Sequence, residues 1–364
     1  MNGQSQAGAD ASELLTRVRA FVGGVDLDSA DDEAFNRLAL EVFAFQFHNV
    51  PIYRQLCEGR GAIPSAVVHW AGIPALPTAA FKEYDVSNIA ESDRSCVFHS
   101  SGTTGRASSR HFHNAASLAL YEASLLRWFE PHFGLRGGRL VFLTPEPAAA
   151  PHSSLIHMFG AVRNQLGGAG SVFAGKAGAD GAWTLDFDVI DKVVAEEQPL
   201  GILGTAFSFV HWLDHLAAGK RRLRLPNGSR IMETGGYKGR SRTVAKAELR
   251  RLLTRYLGVP ESHILTEYGM SELSSQAYDG VAGSIGARSF QFPPWVRTQV
   301  ISPESGGIAA EGEIGLLRVF DLANLFSVMA VQTEDLAVRR AGGFELQGRA
   351  EALEARGCSL MSAT

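Results

Sequence analysis

Three cysteines in 364 residues, Cys57, Cys96 and Cys358, are too few and too scattered for a disulfide framework, and no metal-ligand spacing joins them. No apolar run approaches the ~20 residues that a membrane-spanning helix needs. A basic excess is also missing: 34 Lys and Arg face 38 Asp and Glu, a net charge of −4. Without a basic stripe, nucleic acid is not an expected partner. Residues 1–10 are small and polar, lack the basic-then-apolar order of a secretion signal, and read as disordered. No internal repeat is found. These absences lead us to expect a soluble, cytoplasmic protein with no membrane span.

What is present points to a large core. Hydrophobic residues make up 45% of the chain, enough for one large domain or two close-packed ones. Glycine, 39 residues against a usual share of about 7%, clusters between apolar runs. Ser12–Val22 and Asp32–Cys57 carry apolar residues at helical spacing. From about Cys96 short β-type runs alternate with amphipathic stretches. Candidate strands are 139–144, 171–174, 200–205, 229–233 and 263–266. Candidate helices are 115–129, 187–197, 207–218 and 243–257. The alternation predicts an α/β fold with a largely parallel sheet. After about Pro293 strands dominate (297–302, 314–320, 337–340), which predicts a small β subdomain. Cys57 and Cys96 sit in apolar surroundings and read as buried packing residues.

Three motifs carry chemistry. Ser100-Ser101-Gly102-Thr103-Thr104-Gly105 follows the run Cys96–Phe98. Hydroxyls and backbone N–H groups on a glycine loop can wrap a triphosphate, because only glycine lets the backbone come that close. It is not a Walker A loop, whose Gly-Lys-Ser/Thr ending is missing, and it can also be read as a polar turn. Thr266-Glu267-Tyr268-Gly269-Met270-Ser271-Glu272 follows a strand, so an aromatic could cover adenine and a carboxylate could hold Mg²⁺ on phosphate oxygens. The rival reading is a strand-to-helix turn capped by Ser271. In Thr333-Glu334-Asp335 an Asp in a turn between strands could accept ribose hydroxyl protons, with Arg349 reaching the same sugar or the phosphate. That segment also reads as a surface acidic turn.

In this order, with Gly348-Arg349 near the end, the motifs resemble the adenylate-forming superfamily of acyl-CoA synthetases and luciferases from about residue 75 onward. Within it the chain is most similar to the acyl-protein synthetases of the bacterial bioluminescence fatty acid reductase complex, the LuxE family. The supporting strings are 77–82 (PTAAFK), 100–105 (SSGTTG), 152–158 (HSSLIHM), 233–240 (ETGGYKGR), 267–273 (EYGMSEL) and 356–360 (RGCSL).

The resemblance implies the large N-terminal domain of an adenylate-forming enzyme, a layered α/β fold with a small β subdomain and without the usual C-terminal lid domain. It divides the chain into an N-terminal helical segment (1–95), an α/β core with the nucleotide site (96–292), a β-rich subdomain (293–347) and a hinge-like tail (348–364). It also implies roles. Ser100, Ser101, Gly102, Thr103, Thr104 and Gly105 would hold phosphates. Gly235, Gly236, Tyr268 and Gly269 would border the nucleotide, Glu272 would bind Mg²⁺, and Asp335 and Arg349 would hold ribose. His157 would sit at the acyl pocket, though a core histidine in an apolar helix is an equal reading. The pocket's apolar lining is expected from the regions of His157, 207–212 and 235–237. ATP and Mg²⁺ are the implied cofactors, and a carboxylic acid of the fatty type is the implied substrate.

Two departures qualify the resemblance. The last lysine is Lys246, so the C-terminal-domain lysine that stabilises adenylation in most superfamily members has no counterpart. Lys238, Arg240 and Lys82 are candidate replacements. Arg106 and serines follow the phosphate loop where many ligases have Pro-Lys.

By the same resemblance Cys358 would accept the acyl group as a thioester and deliver it to a partner, an acyl-protein thioester reductase or carrier protein. Arg356 nearby would favour the thiolate. Two rivals remain at this level. One is a ligase that passes the acyl group to coenzyme A, a carrier protein or an amine, with Cys358 dispensable. The other is a non-catalytic nucleotide- or acyl-binding subunit.

Overall fold

The computed structural model describes residues 2–29, 31–100, 108–178, 182–237 and 241–350. The chain opens with three helices, α1 (Asn2–Gly24), α2 (Asp32–Asn49) and α3 (Pro51–Gly59). Helix α1 begins well before the expected Ser12, within the stretch read as disordered. The single helix expected over Asp32–Cys57 is two. Pro51 has no N–H to continue α2 and starts α3 at its first position, while the Val50 N–H ends α2 on the Gln46 carbonyl. The Asp31 carboxylate accepts from the Ala34 N–H at 2.9 Å and caps α2.

A short strand β1 (Leu76–Pro77) and the one-turn helix α4 (Ala80–Glu83) lead to a hairpin, β2 (Cys96–His99) and β3 (Arg110–His113). Then come α5 (Ala115–Phe133), β4 (Arg139–Phe142), α6 (Ser154–Leu166), β5 (Val172–Phe173), a second hairpin of β6 (Gly175–Ala177) and β7 (Trp183–Leu185), α7 (Phe187–Val194), β8 (Leu200–Thr205), α8 (Ala206–Ala218), β9 (Arg230–Thr234), α9 (Lys246–Leu257), β10 (Ile264–Tyr268) and β11 (Ala277–Tyr278). The remainder is β12 (Val296–Ile301), β13 (Ile314–Asp321), β14 (Ala330–Arg340) and β15 (Gly343–Arg349), the last unforeseen in the sequence.

The main sheet has the order β11-β10-β9-β8-β4-β5, parallel except for β11. Side chains alternate between its faces. Leu140, Phe142, Leu203, Met232 and Leu265 join the core beneath α1, α2, α5 and α6. Val141, Ile202, Ile231 and Ile264 join a second core beneath α7, α8 and α9. All six residues of β8 are buried. A Cβ at Gly201 would lie 2.5 Å from Leu140 and 2.8 Å from Phe133, so glycine there lets α5 approach the sheet. The result is a three-layer α/β unit.

The second sheet has the order β1-β14-β13-β12, with β15 beside the far half of β14. Strand β1 thus carries the N-terminal segment into the small sheet. Gln46 on α2, fully buried, ties the two together: its amide donates to the Asn324 carbonyl at 2.9 Å and accepts from the Met329 N–H at 2.9 Å. Thr333–Asp335 is not a turn between strands. It lies inside β14, where these three residues oppose Leu317 alone between the pairs Gln332–Arg318 and Leu336–Leu316. Such a bulge absorbs an Asp that a regular strand disfavours, and it re-aims the side chain. Cys57 is buried and burial pushes its thiol up to about 11, whereas Cys96 is only half-buried, a correction to the expected packing role. Among the described residues no helix is long and apolar enough to cross a membrane.

Candidate active site

A cleft of about 660 Å³ opens at the carboxyl ends of β4, β8, β9 and β10. Helix α6 after β4 packs on one face of the sheet and α8 after β8 on the other, so the connections part between these neighbouring strands. That parting is the topological switch point where open α/β sheets bind ligands. Pro145 and Phe207 wall the cleft there, Gly235 and Gly236 follow β9, and Gly269, Met270, Ser271 and Glu272 follow β10. The small sheet contributes Glu334, Asp335 and Arg349, and the N-terminal segment contributes Thr78 and Lys82.

The Ser/Gly/Thr loop joins the two strands of the β2–β3 hairpin rather than preceding a helix. Its base is closed by Ser100, whose N–H donates to the Ser109 carbonyl at 3.1 Å and whose hydroxyl accepts from the Ser109 N–H at 2.9 Å. Ser100 lines the cleft; Ser101, Gly102, Thr103, Thr104 and Gly105 lie outside the described residues. The hairpin grips the segment after β10. The Ser271 hydroxyl donates to the His99 carbonyl at 3.1 Å, and His111 Nδ1 donates to the Ser271 carbonyl at 2.7 Å. Burial lowers the His111 pKa to about 4, so the ring stays neutral and keeps the proton on that nitrogen.

Glu272 is 4% exposed. Burial raises its carboxyl above the usual range, and the charges of Arg349 and Lys82 partly offset this. Asn324 fixes its backbone, donating to the Glu272 carbonyl at 2.9 Å. Asn324 and the neighbouring serines are held in turn by Asp321, which accepts from the Ser274 N–H and the Ser275 hydroxyl at 2.9 and 2.8 Å. No helix begins at Ser271, so the strand-to-helix reading of this segment fails.

Asp335 accepts from the Tyr268 hydroxyl at 2.7 Å and from Arg349 Nε at 3.3 Å, across the β14–β15 pair that joins Asp335 to Arg349. Tyr268 is not a wall of the cleft. Its ring packs against Phe290, Phe292 and Phe344 at 5.8–6.1 Å, so it orients Asp335 rather than presenting an open face. His157 is also turned away from the cleft walls: Nε2 meets Glu122 at 3.0 Å, and the ring lies 5.2 Å from Phe98. The satisfied-histidine reading describes it better than the acyl-pocket one. Lys238, Arg240 and Cys358 lie outside the described residues.

Sequence reasoning missed three polar wall residues, Tyr121, Glu267 as an acid, and Gln276. Glu267 is 6% exposed, takes a hydrogen bond from the Thr234 hydroxyl, and is pushed up to about 7 by burial, with Glu233 adding repulsion. Between its unfolded pKa of about 4.3 and its folded value, the native state holds a proton that the unfolded chain has released. This group therefore costs stability progressively as pH rises from about 4.5 to 7, and no more above that. Glu267→Gln should accordingly gain stability relative to the parent through that window and then plateau. Urea unfolding at a series of pH values checks this; a gain independent of pH would contradict it.

No curated protein matches the chain. Among solved structures it is similar to 2-hydroxyisobutyryl-CoA ligase in the postadenylation state in complex with 2-HIB-AMP, with a TM-score of 0.64 at 16% identity over 88% of this chain and 68% of that one. An open conformation of that ligase with 2-HIB-AMP and CoA gives 0.64 at 16% over 87% and 74%. Its thioesterification state gives 0.61 at 17% over 96% and 69%. At these identities the likeness is one of fold, the large domain of adenylate-forming ligases. Residues 25–363 match the family described as acyl-protein synthetase, LuxE, and the chain belongs to that family.

Proposed function

We propose that the protein is an AMP-forming acid–thiol ligase that activates a carboxylic acid with ATP, captures the acyl group on Cys358 and passes it to an acyl reductase partner. One observation supports this above the others. Gly235, Gly236, Gly269, Glu272, Asp335 and Arg349, drawn from four separate segments, all wall a single cleft.

In the first step the acid's carboxylate oxygen attacks the α-phosphorus, and pyrophosphate leaves. Asp335 would take the ribose hydroxyl protons, held in place by Tyr268 and Arg349. Among the described residues no atom lies within 4 Å of a Cβ built on Gly236, which suits a surface against which a flat base can lie. The site fits Mg²⁺: Glu272 is a buried hard oxygen donor whose burial disfavours the bare anion, and one carboxylate plus phosphate oxygens is the usual Mg²⁺ set. No group of three or more ligating side chains occurs among the described residues, so the rest of the set would come from ATP. The ion would supply charge neutralisation on the phosphates. Lys82 and Arg349 add positive charge at the walls where an oxyanion develops, and Lys238 and Arg240 are further candidates.

In the second step the Cys358 thiolate attacks the acyl carbonyl. A C–S bond forms, the acyl–phosphate C–O bond breaks, and AMP leaves. The Ala350 N–H donates to the Glu334 carbonyl at 2.9 Å, so the tail departs from the cleft wall itself. The eight residues from there to Cys358 can span roughly 26–29 Å, ample for the thiol to reach the cleft. Tethering makes the capture intramolecular, with a large gain in effective concentration.

The test is acid-dependent exchange of labelled pyrophosphate into ATP. We expect exchange in the wild-type protein and in Cys358→Ser alike, because adenylation precedes the thiol. Loss of exchange in Cys358→Ser would contradict the order of steps.

A further inference from the structure

We propose that His152 is the general base of the second step, its Nε2 taking the proton of the attacking thiol. This deepens the reading of capture on Cys358 and rests on it.

A cysteine thiol is only a few per cent ionised at pH 7, so capture gains from a base placed beside the carbonyl. The cleft wall offers His99, His152, Glu267, Glu272, Glu334 and Asp335 as groups able to accept a proton. Asp335 is bound by Tyr268 and Arg349. Glu267, pushed up to about 7 by burial, takes the Thr234 hydroxyl. Glu272 serves Mg²⁺ in the proposed first step. Of what remains, imidazole suits proton transfer from a thiol near neutral pH better than a carboxylate does.

His152 stands just before α6, and two hydrogen bonds tie it to β2. Its carbonyl accepts from the His99 N–H at 2.9 Å, and its Nδ1 donates to the Val97 carbonyl at 3.0 Å. A carbonyl only accepts, so the neutral ring carries its proton on Nδ1 and leaves Nε2 as a bare lone pair. No hydrogen bond reaches Nε2 among the described residues. The ring is exposed, so the Val97 bond adds little to the fold; what it fixes is the tautomer. Strand β2 runs on into Ser100, which places this imidazole beside the base of the Ser/Gly/Thr loop.

Two groups face the ring: His99 on β2, 5.0 Å away, and Arg110, which pairs with His99 across the hairpin. Burial lowers the pKa of His99, and His152 and Arg110 lower it further. His99 is therefore a poor base at neutral pH and, uncharged, does not repel a proton arriving on its neighbour. In the step the thiol proton passes to Nε2 as the C–S bond forms. The acyl–phosphate C–O bond breaks, its electron pair leaves with AMP, and the imidazolium then yields its proton to water.

The experiment supplies the acyl-adenylate directly and follows Cys358 acylation by intact mass in a single turnover, across a pH series. The adenylate is that of the acid best supporting pyrophosphate exchange among straight-chain, branched and aryl acids. His152→Asn keeps a donor at the Nδ1 position and removes Nε2; His152→Gln takes its place if the asparagine variant does not melt cooperatively. At pH 7 we expect acylation in the variant to fall at least about tenfold further than exchange does. The deficit should shrink as pH rises toward the ordinary thiol pKa of about 8.5. Equal acylation by both proteins at pH 7, a deficit constant across pH, or an equal loss of exchange would overturn the assignment and leave capture standing. Exchange without acylation of the wild-type protein by its adenylate would overturn capture and this inference together, and exchange with no acid would overturn adenylation as well.

Discussion

Glu272→Gln should slow acid-dependent pyrophosphate exchange by at least about a hundredfold while leaving the protein as stable as before, or more so. The rate effect follows from the charge it removes: Glu272 is a buried carboxylate on the cleft wall, which the proposed function sets beside Mg²⁺ and the phosphates, and metal-held charge there is worth several kcal/mol to the transition state. The stability effect follows from burial. An anion 4% exposed, whose pKa burial raises, is a cost in the free protein. Glutamine keeps the shape and removes the charge, and the Asn324 bond to the backbone carbonyl is untouched. Exchange assays across a Mg²⁺ titration, with thermal melting alongside, check both halves. A variant with normal exchange would remove Glu272 from the chemistry.

Gly236→Val is expected to reduce ATP-dependent exchange to below about a hundredth of wild type with little change in melting temperature. Most glycines of this fold are explained within the protein. Gly235 adopts φ +65°, where a side chain is strained, and a Cβ at Gly269 would collide with Glu267. Gly236 has neither a left-handed backbone nor, among the described residues, a neighbour within 4 Å of a Cβ. Gly23, Gly24, Gly59 and Gly286 are as open, but of these five Gly236 alone lines the cleft, which is why we assign it to the nucleotide. A branched side chain there fills the space a base would occupy. Isothermal titration with ATP separates this from a general defect: binding should vanish in a protein that still melts cooperatively. Unchanged affinity would mean that the base lies elsewhere.

Local chemistry was the legible part of both fold and site. The run 200–205 reads as a strand from its short apolar stretch, and it is β8 residue for residue. The glycine pair 235–236 was marked only by the family resemblance, and the segment 267–272 by an aromatic and carboxylates following a strand; both, Tyr268 apart, fall on the cleft. What escaped notice depends on partners far away in sequence. Asp335 looked like a turn residue because nothing local shows that three residues of β14 oppose one of β13. Tyr268 looked like an open aromatic because Phe290, Phe292 and Phe344 close around it only once β15 pairs with β14. Gln276 and Tyr121 stand 155 residues apart, and no motif marks either. The split of α2 from α3 was readable at Pro51, and the helical periodicity running across it concealed the break.

The central claim is capture of an activated acid on Cys358. Intact-protein mass spectrometry after incubation with ATP, Mg²⁺ and a panel of carboxylic acids tests it most directly, with Cys358→Ser alongside. The account predicts an acyl-sized mass gain on the wild-type protein that hydroxylamine removes, and none on Cys358→Ser. Pyrophosphate release from both proteins with an adduct on neither would contradict it, because the acyl group would then go to a free acceptor.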